Sequence, residues 1–210
     1  MKAWKAAAIG FGMVFTAAAS HSSTALPVVV FDYAGSPSDL LLSAMKAGRY
    51  AFHRAGIETE WTLCHPVRGC PVPDRYAQVK ILARPLPGML VSPSGLAATI
   101  TCVQNERCAA SYIFFDRAFD FAQGQGVPLD LTLGYVMAHE IGHLMGLGHR
   151  PGGIMTAAFN AHDLERAALG QLCFCPAEAR ELRTAIQRSR MASNPTERVR
   201  QTGIHTGVAE

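Results

Sequence analysis

An α+β domain, a mixed sheet with two principal helices packed on it, is predicted by three features of the 210-residue sequence. Short β-branched runs and helical stretches alternate along the chain. Two long helical patterns begin beside a Pro and end at a Gly. The 49% hydrophobic content suits one buried core at this chain length.

The elements follow in chain order. Residues 1–25, "MKAWKAAAIGFGMVFTAAASHSSTA", open with two lysines, continue through an apolar run and end in small residues. That is the pattern of a cleavable signal peptide, with cleavage expected after Ala19 or Ala25. Its apolar run is shorter than the roughly 20 residues of a spanning helix, so no membrane span is expected. "LPVVVFDYA" (26–34) reads as a buried strand. A long helix then runs to Gly56, with Ser36 as its cap and Pro37 at its first position. "IETEWTLC" (57–64) and "AQVKILARP" (77–85) read as strands around a Pro- and Cys-rich loop. Residues 86–109 read as irregular apart from a short strand at "ATITCV", and "SYIFFDRAF" (111–119) reads as a further strand. The loop "GQGVP" opens a second long helix near Asp130. Pro176 opens a C-terminal helix, and the tail 191–210 is polar and unpatterned, so it is expected to be disordered. The domain therefore spans 26–190.

The formal net charge of +3 is small and dispersed, which excludes a nucleic-acid footprint or a polybasic membrane patch. Six cysteines in an exported chain read as disulfides, but sequence does not choose their pairing. Cys173 and Cys175 are too close along the chain to pair without strain, so each is expected to reach elsewhere and tie the C-terminal part to earlier loops. No CxxC pair supports a zinc ribbon.

The chemistry concentrates in "MAHEIGHLMGLGHRPGGIMT", residues 137–156. His139 and His143 lie four apart on a helix, differ by about 40° around its axis and project from one face. His149 would be rotated by roughly 240° from His143 if the helix continued, so the chain must turn first. Gly146 is placed to make that turn, because glycine adopts the left-handed conformation without steric cost. Three histidines then hold one ion and leave a fourth position open, the arrangement of a catalytic zinc. Glu140 can lean toward that position and act as general base toward a water there. A bare HExxH arises by chance in many chains, but HExxHxxGxxH would match by chance in this one only on the order of once in 10⁵.

"HEIGHLMGLGH" followed by "GGIM" resembles the metzincin metallopeptidases, whose zinc motif is followed by a methionine-containing turn. The short gap from His149 to Met155 resembles most the matrixin (matrix metalloprotease-like) branch and its bacterial relatives. The resemblance implies His139, His143 and His149 as zinc ligands, Glu140 as catalytic base and Met155 as the Met-turn residue. It implies a zincin-like sheet, an active-site helix and a C-terminal helix below the Met-turn. It also implies that the strand holding Tyr112, Ile113 and Phe114 rims the cleft and pairs with extended substrate backbone. Thr156 and Ala157 would line a specificity pocket. Ile113 can at the same time fill the core, since alternate residues face opposite ways.

The chain also departs from the family. Ala157 stands where some metzincins carry a tyrosine ligand, so a fifth zinc ligand is not expected. His53, His65, His162 and His205 are scattered, and no second metal is assigned. "RGCPVPD" is similar to the matrixin cysteine switch, but Gly and Cys are exchanged and the segment lies between two predicted strands. A disulfide through Cys70 is the favoured reading there.

The leading expectation is a secreted or periplasmic zinc endopeptidase, monomeric, with one catalytic zinc and an extended peptide substrate. The alternatives are a zinc-stabilised binding or scaffold protein without activity, and a zinc amidase acting on cell-wall cross-links.

Overall fold

In the computed structural model, residues 25–92, 94–100 and 109–191 are described. The leader up to Thr24, Cys102, Cys108 and the tail beyond Met191 lie outside them, as does the expectation that the tail is disordered.

Among the described residues, five strands form one sheet: β1 (Leu26–Asp32), β2 (Thr59–Cys64), β3 (Ala77–Leu82), β4 (Ala97–Ile100) and β5 (Ala110–Phe114). Their spatial order is β2-β1-β3-β5-β4. β1 runs parallel to β2 and β3, β3 runs parallel to β5, and β4 alone is antiparallel, against β5. The sheet is mixed, as expected.

Alternation sets what the sheet buries. Val28 and Val30 of β1, Val79 and Ile81 of β3 and Ile113 of β5 point to one face and join the main core. On that face lie α1 (Ser38–Arg54) and α3 (Leu129–Leu144). These two helices cross very closely because glycines meet there. A Cβ on Gly134 would stand 2.5 Å from the Ala44 carbonyl oxygen and 2.6 Å from the Ala47 Cβ. Eleven consecutive residues of α3, Thr132 to Gly142, are buried, so the helix carrying the histidines is clamped on all sides.

Several expectations need correction. Pro37 caps α1 from outside with ψ 128°, and Ser38 is the first helical residue. Ser36 is not the cap, because its N–H and hydroxyl are turned back onto the Asp32 carboxylate. The strand expected through Phe119 stops at Phe114, and α2 (Phe115–Gln125) begins at once. The aromatic run suggested a strand, but Ala118 and Ala122, one helical turn apart, are the residues it buries. Gly126, at φ +65°, ends α2 in the left-handed conformation. A fourth helix, α4 (Ala161–Ala168), starts at a capping box. Asn160 accepts from the Asp163 N–H, and the Asp163 carboxylate accepts from the Asn160 N–H. α5 (Pro176–Met191) opens at Pro176 as expected. The described residues thus hold five helices rather than two principal ones and a C-terminal one.

Cys64 pairs with Cys70 and closes the turn after β2, which removes Cys70 as a switch thiol. Cys173 and Cys175 are free, so they do not tie the C-terminal part to earlier loops. Other contacts hold that part down, among them a hydrogen bond from the Ile154 N–H to the Cys173 carbonyl at 3.3 Å. Among the described residues, no helix is long and apolar enough to cross a membrane.

Candidate metal centre

The end of α3 builds the site. Its helical hydrogen bonding stops at Leu144, and Gly146 takes φ +90°. The Gly146 N–H donates to the His143 carbonyl at 2.9 Å, and the Leu147 N–H to the Gly142 carbonyl at 3.0 Å. This pair of reverse bonds is the Schellman ending of a helix, and Leu147, buried, supplies its usual apolar contact. The same turn fixes a histidine. The Leu147 carbonyl, brought back toward the helix, lies 2.8 Å from His143 Nδ1. The corner that returns the chain toward His149 is therefore also the corner that orients His143.

His139 is fixed from the next segment. Its Nδ1 lies 2.7 Å from the Ile154 carbonyl. Around Ile154 the chain is tied by a bond from the Arg150 N–H to the Met155 carbonyl and another from the Thr156 N–H to the Gly153 carbonyl. Met155 is fully buried, and its sulfur lies against Gly142, between the two helical histidines in sequence.

These carbonyls decide the tautomers. A carbonyl oxygen only accepts, so Nδ1 of His139 and of His143 carries the proton, and each neutral ring turns a bare Nε2 inward. His139 Nε2 and His143 Nε2 stand 2.9 Å apart, and His143 Nε2 and His149 Nε2 3.1 Å apart. Two bare nitrogens cannot hydrogen-bond to each other, so this approach calls for a cation between them. Burial, more than the neighbouring rings, lowers the His139 pKa to about 4, while its bond to Ile154 works the other way. At neutral pH the ring is thus uncharged, with its Nε2 lone pair available to a cation. His149, exposed, also has a lowered pKa, through partial burial first and His143 second.

The three ligand atoms lie within 4.8 Å of one another. Three imidazoles, two of them with their outer nitrogens anchored to carbonyls, are a donor set that fits zinc. The Glu140 carboxylate is not part of that group. It is only 7% exposed and accepts a hydrogen bond from the Thr99 hydroxyl at 2.5 Å. Burial pushes the carboxyl up to about 7, against the lowering effect of the Thr99 bond.

The residues expected to touch substrate are placed differently from one another. β5 lies between β3 and β4, so it is not an edge strand, and Ile113 and Phe114 are fully buried. Tyr112 is half-buried, with the Lys80 ammonium 5.3 Å from its ring centre. Among the described residues, the outermost strand on the histidine side is β4, which the sequence marks only as a short strand. Thr156 is half-buried and Ala157 exposed, beyond Met155. Phe159 sets its ring edge-on to His139 at 5.6 Å between centres. Thr99 carries no sequence signal of its contact with Glu140, because only the pairing of β4 brings the two together.

Comparison with known proteins is consistent with this geometry. A family model, Metallopep, described as "Putative peptidase family", matches residues 93–200, slightly over half of the chain. No curated protein matches. The crystal structure of archaemetzincin from Methanopyrus kandleri is similar in fold, with a TM-score of 0.53 at 14% identity. That match covers 80% of this chain and 99% of the other.

Proposed function

The chain belongs to the Metallopep family of peptidases, and from that premise we propose that it is an exported, matrixin-like zinc endopeptidase acting on extended protein segments. The observation that carries this reading is the convergence of three Nε2 atoms, at 2.9 and 3.1 Å, beside a buried carboxylate outside their group.

His139, His143 and His149 would hold one zinc. Bound there, the ion would supply a Lewis acid that makes water easier to deprotonate and polarises the substrate carbonyl. Glu140 is the general base. It takes a proton from the attacking water as oxygen bonds to the carbonyl carbon, and returns it to the amine as the C–N bond breaks. Met155 supports the histidines from below. The substrate backbone pairs along the free edge of β4, while Thr156 and Ala157 flank the adjoining pocket.

Residues 1–25 are removed on export, residues 26–190 form the catalytic domain, and 191–210 are a tail. A disulfide between Cys64 and Cys70 suits an oxidising compartment. The protein acts as a monomer.

A peptide-library digest by the purified protein, with and without chelator, tests metal dependence and reaction type together. Cleavage at internal peptide bonds that stops with chelator and returns with zinc is expected. Glu140→Ala keeps one zinc and loses at least about 100-fold in kcat. Parental turnover in that variant would remove Glu140 from the mechanism.

A further inference from the structure

We infer that Thr99, backed by Ser111, is the positioning residue for the Glu140 carboxylate, an assignment that rests on Glu140 being the base. The register of β4 and β5 supplies the argument. The Phe114 N–H donates to the Leu96 carbonyl, so these two form a hydrogen-bonded pair, and the pairs alternate from there. Ala98 with Tyr112 is again a bonded pair. Thr99 with Ser111 is a non-bonded pair, the kind in which facing side chains come closest.

Their hydroxyl oxygens are 3.0 Å apart. A hydroxyl has one hydrogen to give. Thr99 has two acceptors on Glu140, Oε2 at 2.5 Å and the main-chain carbonyl at 3.1 Å, and its hydrogen goes to the nearer, so its oxygen receives that of Ser111. The chain of bonds therefore has one direction, from Ser111 through Thr99 to the carboxylate. Ser111 is fully buried and Glu140 nearly so, which leaves little room for water to replace either bond. Among the described residues, Thr99 is the donor that the Glu140 carboxylate finds.

The same alternation turns the main-chain N–H and C=O of Thr99 away from β5, toward the side of β4 on which no described strand pairs. One residue thus meets the base with its side chain and presents its backbone where extended substrate would pair. A glutamate carboxylate ends a stem of three rotatable bonds, and a base placed even 1 Å away loses much of its effect. Thr99 removes that freedom before substrate arrives.

The test uses the zinc-loaded protein and the variants Thr99→Val, Thr99→Ser and Ser111→Ala. Thr99→Val keeps zinc stoichiometry and KM within about 2-fold and lowers kcat by about 10- to 100-fold, while Thr99→Ser stays within about 3-fold of the parent. Ser111→Ala falls between the two. A second readout does not depend on turnover. In metal-free protein labelled at Glu Cδ with ¹³C, the Glu140 signal, assigned by its loss in Glu140→Gln, moves in Thr99→Val and returns in Thr99→Ser. Parental kcat in Thr99→Val, equal impairment in the serine variant, or an unmoved Glu140 signal overturns the assignment. Should Thr99→Val not fold, an unmoved signal in Ser111→Ala overturns it equally. A parent with zinc but no turnover defeats the peptidase reading alone, because the carboxyl signal still reports whether Thr99 holds Glu140.

Discussion

Gly142, the second of the two residues between Glu140 and His143, shows how closely the site is packed. An added Cβ there would stand 2.5 Å from the Met155 sulfur and 3.1 Å from its methyl carbon. The methionine is fully buried and cannot move into solvent, so the turn bearing it would have to shift. That turn includes Ile154, whose carbonyl fixes His139. Gly142→Ala is therefore expected to cost about 1–3 kcal/mol of stability through overpacking. It should also weaken zinc binding, because the anchor of one ligand moves with the sulfur. Thermal unfolding and a competitive zinc titration check this, and parental values in both would refute it. The three histidines, Glu140 and Met155 were legible in the sequence because they are close along the chain and their spacing carries the geometry. Thr99 and Ser111 were not, because their relation to Glu140 exists only once β4 and β5 are in register.

At the scale of elements, legibility followed how much of an element's pattern was its own. β1, α1 and α3 are long, apolar on their inward faces and bounded by Pro or Gly, and they were read nearly to their ends. The junction of β5 and α2 was misread because no turn residue separates them, and "SYIFFDRAF" is aromatic on both sides of Phe114. The sequence points to β5 as the rim because it precedes the active helix, but proximity in sequence does not say which strand lies outermost. α3 is joined to the later helices by a detail that single-residue reading also passes over. The Tyr135 hydroxyl, fully buried, donates toward the Ala167 and Leu172 carbonyls, each at 3.4 Å. Burial, more than any neighbouring charge, pushes its pKa from 10.0 up to about 12. The unfolded chain then releases this proton more readily than the fold does. Stability from this group is complete below pH 10 and is lost as pH rises from 10 through 12. Tyr135→Phe should cost about 1 kcal/mol at pH 7 by removing the donor, and should unfold less readily than the parent as pH rises above 10. Urea unfolding at pH 7 and pH 11 measures both, and an unchanged difference between the two pH values would contradict the assigned shift.

Across the whole molecule, a disulfide and the candidate metal centre sit at opposite ends of one sheet. The disulfide joins Cys64, at the end of β2, to Cys70, and β2 is the outermost strand on one side. The metal centre sits at the end of α3, which packs against β4 and β5 on the other side. The disulfide closes a short loop, so reduction removes only about 2 kcal/mol in the chain-entropy account. Zinc held by the three histidines would stabilise the fold by mass action, by about 4 kcal/mol at a free concentration 1,000 times its Kd. Without the ion, the Nε2 atoms of His139 and His143 face each other at 2.9 Å with nothing to share. Chelation should therefore lower the unfolding temperature and speed amide exchange between residues 139 and 156, leaving β1 and β2 protected. Reduction should loosen the segment between β2 and β3 and spare the histidine segment. Because the two links share no partner, their costs should add within about 0.5 kcal/mol when chelator and reductant are combined. Calorimetry under the four conditions, with exchange mapped by mass spectrometry, reads both effects. A combined loss well beyond the sum would mean that the sheet transmits strain from one end to the other. An unfolding temperature indifferent to chelator would mean that the three histidines do not hold a metal in the native protein.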